Sequence, residues 1–156
     1  MKKSLFAFAA MLALPLPAPV LSQVPAAVDL ASVRPISGTW SYQSVEGGSQ
    51  AAFSDASRAQ RLILRCNRAA RIVSIVRTGV PAAAPTLSIW ASSASRSVPS
   101  RFNATLTLTA DLAANDSLLD AIAFSRGRFA TAAAGAPMIA VPSSPEIDRV
   151  IEDCRS

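Results

Sequence analysis

The chain has 156 residues, 51% of them hydrophobic and 16% charged, so it is too apolar to be a disordered polypeptide and too short for more than one sizeable domain. It contains no His, and its 15 basic residues are Lys2, Lys3 and thirteen Arg, giving a formal charge of +5. The body of the protein therefore lacks the commonest catalytic bases, and most familiar hydrolase chemistries are excluded with them.

Residues 1–22 read as a secretory signal peptide: two Lys, an apolar run from Leu5 to Leu14, then prolines at 15, 17 and 19 and small residues up to a cleavage site after Ser22. The run is far shorter than the roughly 20 residues that span a bilayer. No stable membrane span is expected after cleavage. Removal of the leader takes both lysines with it, leaving a mildly basic chain for which the composition gives no reason to expect nucleic acid. A periplasmic or secreted location follows.

Residues 23–37 carry two prolines and no sustained period, and read as an extended lead-in to a single domain over 38–156. A strand is predicted over GTWSYQSVE, with Trp40 and Tyr42 on one face, a turn at Gly47-Gly48 and a returning strand near Gln50 to Phe53. In QRLILRC, Leu62, Leu64 and Cys66 share one face, and Arg61, Ile63 and Arg65 the other. A turn over 67–70 leads into the strand RIVSIVR, and the Pro-rich VPAAAP is a loop. TLSIWA is a strand, SSASRS a turn, and RFNATLTLTA alternates so regularly that it reads as one strand with a wet face.

Two helices are predicted late in the chain. NDSLLDAIAF offers Asn115 or Asp116 as a cap before an apolar stripe. SSPEIDRVIEDC offers Ser144 as N-cap and Pro145 at the first helical position, and sets Ile147, Val150, Ile151 and Cys154 on one face. Between them, GRFATAAAGAPMIAV reads as a hairpin. Two cysteines in an exported chain suggest one disulfide, Cys66 to Cys154, which requires the last helix to dock on the sheet carrying Leu62 and Leu64. The pair lacks C-x-x-C spacing, and no His completes a metal site, so no metal or cofactor is expected. The fold class is α+β: a mainly antiparallel β-sheet or small sandwich closed by two C-terminal helices.

No Ser has a His or a mature Lys to act as its base, so no catalytic residue is assigned. Arginine provides the main candidates. Arg61, Arg65, Arg68 and Arg71, in a series with Arg58 and Arg77, point either to a surface for an anionic group or partner, or to charges that keep sheet edges soluble. Arg126 and Arg128 flank Gly127 at a helix exit, where an anion site or a plain helix C-cap fits. Trp40, Tyr42 and Trp90 fit core positions or a ligand cleft.

The blocks LLDAIAFSRGRFA and PEIDRVIEDCR, with the strand ending Leu62 to Cys66, resemble a group of small exported bacterial proteins of uncharacterised activity. The resemblance runs from Trp40 to Arg155 and implies secretion and a disulfide-closed domain, with no mechanism attached. The expected function is a non-enzymatic periplasmic module that binds an envelope protein or an anionic envelope component. The alternative is a small periplasmic enzyme or enzyme inhibitor.

Overall fold

The computed structural model describes residues 25–156, so the predicted leader and its cleavage site lie outside the described residues. Nine strands form one antiparallel sheet: β1 (Gly38–Val45), β2 (Gly48–Asp55), β3 (Gln60–Asn67), β4 (Ile72–Thr78), β5 (Thr86–Trp90), β6 (Ser95–Asn103), β7 (Thr107–Ala113), β8 (Arg128–Ala133) and β9 (Ala136–Pro142). Their spatial order is β1-β2-β3-β4-β7-β6-β5-β8-β9. Helix α1 (Ser117–Ala123) connects β7 to β8, and α2 (Pro145–Arg155) ends the fold.

The sheet curls into a half-barrel, and the sandwich alternative is thereby corrected. A sandwich needs a second sheet over the first. Here the ladder runs unbroken from β1 to β9, and α2 packs on the inward face of β1 to β4 instead. Of the two helices only α2 is C-terminal. Along β3 and β4 the period of two puts Leu62, Leu64, Val73 and Ile75 inward, all fully buried. They join Phe53, Leu108 and Phe129 in a single core with Ile147, Val150 and Ile151 of α2.

The predicted disulfide is present. Cys66 and Cys154 are bonded, with their Cα atoms 5.4 Å apart, and both are buried. The two apolar faces and the bond call for the same docking. Gly48 stands against this point: a Cβ there would lie 2.1 Å from the carbonyl oxygen of Cys66.

The predicted strand RFNATLTLTA is in fact a hairpin arm, a turn and a second arm. Asn103 Oδ1 accepts from the backbone N–H and the hydroxyl of both Thr105 and Thr107, and this closes a tight turn in which Leu106 takes a φ of 56° and is exposed. The alternation of apolar and polar residues continues through the turn by composition alone. Likewise the segment read as the SSASRS turn reverses earlier, and Ser95 already belongs to β6.

The lead-in is docked on the sheet. Val28, Leu30 and Val33 cover the outer face of Trp90, Ala130 and Ala140, and the Trp90 indole donates to the carbonyl of Ala26 at 2.9 Å. Ile36 N–H donates to the carbonyl of Ala140 at 2.9 Å, so the chain is fastened to β9 just before entering β1.

Candidate functional site

The six candidate arginines do not form one surface. Arg61 is held by Asp55 at 2.5 Å, and the Ser57 hydroxyl together with Arg61 draws the Asp55 carboxyl down to about 2. Arg68 donates to the carbonyl of Asp153 and Arg71 to that of Arg155, so both complete the C-terminus of α2, where carbonyls lack helical partners and the dipole is negative. Arg71 does so from a left-handed backbone at φ 52°. The tip of the β3–β4 hairpin is thus committed to holding α2 in place. Arg65 stands exposed on the outer face of β3, opposite Ser74 of β4, beside a shallow cleft that Glu46 also lines.

Arg126 and Arg128 do come together. They line a cleft of about 400 Å³ with Ser92 and Ala91 from the β5–β6 turn and Val28 to Ala31 from the lead-in. Three serines brace its floor. Ser125 Oγ accepts from Ser92 N–H at 2.9 Å and donates to the carbonyl of Arg128, Ser92 Oγ accepts from Arg126 N–H at 2.7 Å, and Ser143 Oγ donates to the carbonyl of Ser125. Gly127 supplies the left-handed conformation the turn needs, at φ 75°, in line with the helix-exit reading of this motif.

The two guanidiniums differ in what they already hold. Arg128 donates one nitrogen to the carbonyl of Val33 at 2.6 Å, which fastens the lead-in to β8. The exposed Arg126 guanidinium meets no hydrogen-bond partner among the described residues. One carboxylate, Asp29, sits on the rim and accepts from Ala31 N–H. The cleft therefore has a net positive lining with one fork-shaped donor free, a geometry suited to phosphate or carboxylate oxygens.

Two further features escaped the sequence reading. Ser92 looks like an ordinary turn residue, and only the α1–β8 connection folding onto it makes it part of a site. Arg77 belongs to the same arginine series in the sequence, yet it is 3% exposed and points into the half-barrel. Its guanidinium donates to the carbonyls of Arg61, Thr78 and Pro137, and among the described residues its Nε has no partner and no carboxylate faces it in an ion pair. Burial, with the charge of Arg61 nearby, pushes its pKa down. The signal was in the sequence: Val73, Ile75 and Arg77 share one face of a strand.

Trp40 packs edge-on to Phe53 and stacks near Phe129, while the Tyr42 hydroxyl donates to Asp153 at 2.7 Å, so both serve the core rather than a cleft between them. Among the described residues no group of three or more His, Cys, Asp or Glu is arranged to hold a metal ion, and no helix is long and apolar enough to cross a membrane. No family model, curated protein or solved structure matches the chain.

Proposed function

We propose that this protein is a non-enzymatic binding module of the cell envelope, working outside the cytoplasm, that takes an anionic group of an envelope component in the Arg126–Arg128 cleft. The observation that carries the reading is the free Arg126 guanidinium, held beside Arg128 by a serine-braced turn. Binding rather than turnover fits the lining, whose only ionisable side chains are two arginines and one aspartate. The buried disulfide, the leader-like first 22 residues and the resemblance to exported proteins support the location.

The test is a titration of the protein with inorganic phosphate, followed through the amide resonances of Ser92, Arg126 and Gly127. Saturable shifts confined to this turn are expected, with at least a tenfold weaker response in Arg126→Gln, which breaks no intramolecular contact. Shifts that are absent, or indifferent to the substitution, would remove the cleft from consideration.

A further inference from the structure

The two helices meet along a small cleft. On α2, Asp148, Ile151, Glu152 and Arg155 recur at i, i+3, i+4 and i+7, so they form one ridge on the side of the helix that meets α1. The end of α1 brings Asp120, Ala123 and Phe124 to the same cleft. Its volume is about 80 Å³. That is far below the roughly 300 to 1,000 Å³ of a small-molecule pocket and suits the end of one side chain.

The charges of this cleft do not balance. Arg155, the cation in its lining, is already engaged: Nη2 donates to Asp120 Oδ1 at 2.7 Å and Nε to the carbonyl of Ala114 at 2.8 Å. Asp148 and Glu152 enter no ion pair among the described residues, and one Asp148 carboxylate oxygen is buried without a partner. Like charges four residues apart on a helix repel, so the fold carries an unfavourable pair that no salt bridge within the described chain offsets. Beside the pair stands Phe124, 81% exposed, more than any other large apolar side chain among the described residues.

These features identify the occupant. An exposed aromatic ring, apolar lining from Ala123 and Ile151, and two carboxylates without a counter-charge suit a group with an apolar stem and a positive head. That is the anatomy of a Lys or Arg side chain, whose methylenes lie on apolar surface and whose cation is attracted both to an aromatic face and to carboxylates. An anionic lipid surface meets like charge here. We infer that the α1–α2 cleft is a docking surface for a basic segment of a partner protein, which lays one Lys or Arg side chain across Phe124 toward Asp148 and Glu152. The contact is opposite in sign to the Arg126–Arg128 cleft and does not depend on it.

The test follows the amide resonances of Phe124, Ile151 and Glu152 while the blocked tripeptide leucyl-lysyl-leucine amide is added, at millimolar concentration, to the disulfide-intact protein. Saturable shifts at these residues are expected. Binding is expected to be about fivefold weaker in Glu152→Gln and in Phe124→Ala, and about fivefold weaker for a neutral peptide with norleucine in place of lysine. Glu46→Gln, which removes one carboxylate from a different cleft, is expected to leave it unchanged. The absence of saturable shifts, equal binding of the neutral peptide, an equal loss in Glu46→Gln, or indifference to Glu152→Gln or to Phe124→Ala would each overturn the inference. Shifts of Phe124 that depend on protein concentration with no peptide present would put a second copy of this chain in the cleft and overturn it as well.

Discussion

The Trp40 indole N–H donates to the carbonyl of Pro142 at 2.8 Å, joining residues 102 apart in sequence and drawing the first strand of the sheet toward the last. The Trp40 ring also lies edge-on to Phe53 and stacks near Phe129, so it ties both ends of the half-barrel to the core. Trp40→Phe keeps most of the packing and loses the hydrogen bond, so it is expected to cost about 1 kcal/mol. Trp40→Ala loses both and is expected to cost about 3 to 5 kcal/mol. Urea unfolding of the two variants separates the contributions, and an unchanged stability in Trp40→Phe would show that the bond to Pro142 contributes nothing.

The Cys66–Cys154 bond closes a loop across a sequence separation of 88. Replacing both cysteines by Ala is expected to destabilise the fold by roughly 4 to 5 kcal/mol, the loop entropy released to the unfolded chain. Denaturant midpoints of the oxidised protein and the double variant measure it. Two free thiols in the protein recovered from an oxidising compartment would contradict the architecture itself.

Arg77 is a buried cation balanced by carbonyl dipoles alone. Arg77→Met keeps the volume and removes the desolvation cost, so stability is expected to hold or to rise by up to about 2 kcal/mol. Arg77→Ala leaves a void in the half-barrel and is expected to lose about 2 to 4 kcal/mol. If Met is as damaging as Ala, the guanidinium itself is required.

Two carboxylates set opposite pH dependences. Burial works to raise the Asp111 pKa, but hydrogen bonds from Arg101 and Ser74 outweigh it and hold the group below its usual value. Its ionised form therefore contributes stability above the unfolded pKa, and that contribution is lost as pH falls through the folded value. Asp148 is pushed up, first by burial and then by Glu152, and one of its carboxylate oxygens is buried without a partner. Its ionisation costs stability, and the cost grows as pH rises from the unfolded pKa through the folded one. Asp111→Asn is thus expected to lower the melting temperature at neutral pH and Asp148→Asn to raise it, each by less than about 1 kcal/mol in stability because both sites are partly solvated. Both differences should shrink as pH falls and vanish once these two carboxyls are protonated in the folded state, Asp148 at a higher pH than Asp111. Persistence of either difference in acid would assign it to packing.

Much of the architecture was legible from residue order. Alternation in QRLILRC and RIVSIVR placed Leu62, Leu64, Cys66, Val73 and Ile75 inward, and the stripe Ile147, Val150, Ile151 and Cys154 set the buried face of α2. The hairpin at Asn103 to Leu106 was not legible, because a period of two passes through a turn unchanged when the turn residues happen to alternate. The candidate site was half legible: Gly127 between two arginines marked the turn, but the partners of that turn, Ser92 and the lead-in, lie far away along the chain.

What the sequence determined by itself was local: which face of each strand and helix is apolar, where the chain turns, and that two inward cysteines must meet. Those choices rest on periodicity and turn chemistry, which involve neighbours a few residues apart. The tertiary structure decided the rest. It chose one curled sheet over two stacked ones, buried Arg77, turned Arg68 and Arg71 onto the end of α2, and brought β1 toward β9 through Trp40 and Pro142. Each depends on which strand lies beside which, and strand order is fixed by contacts across tens of residues that no short window of the chain records.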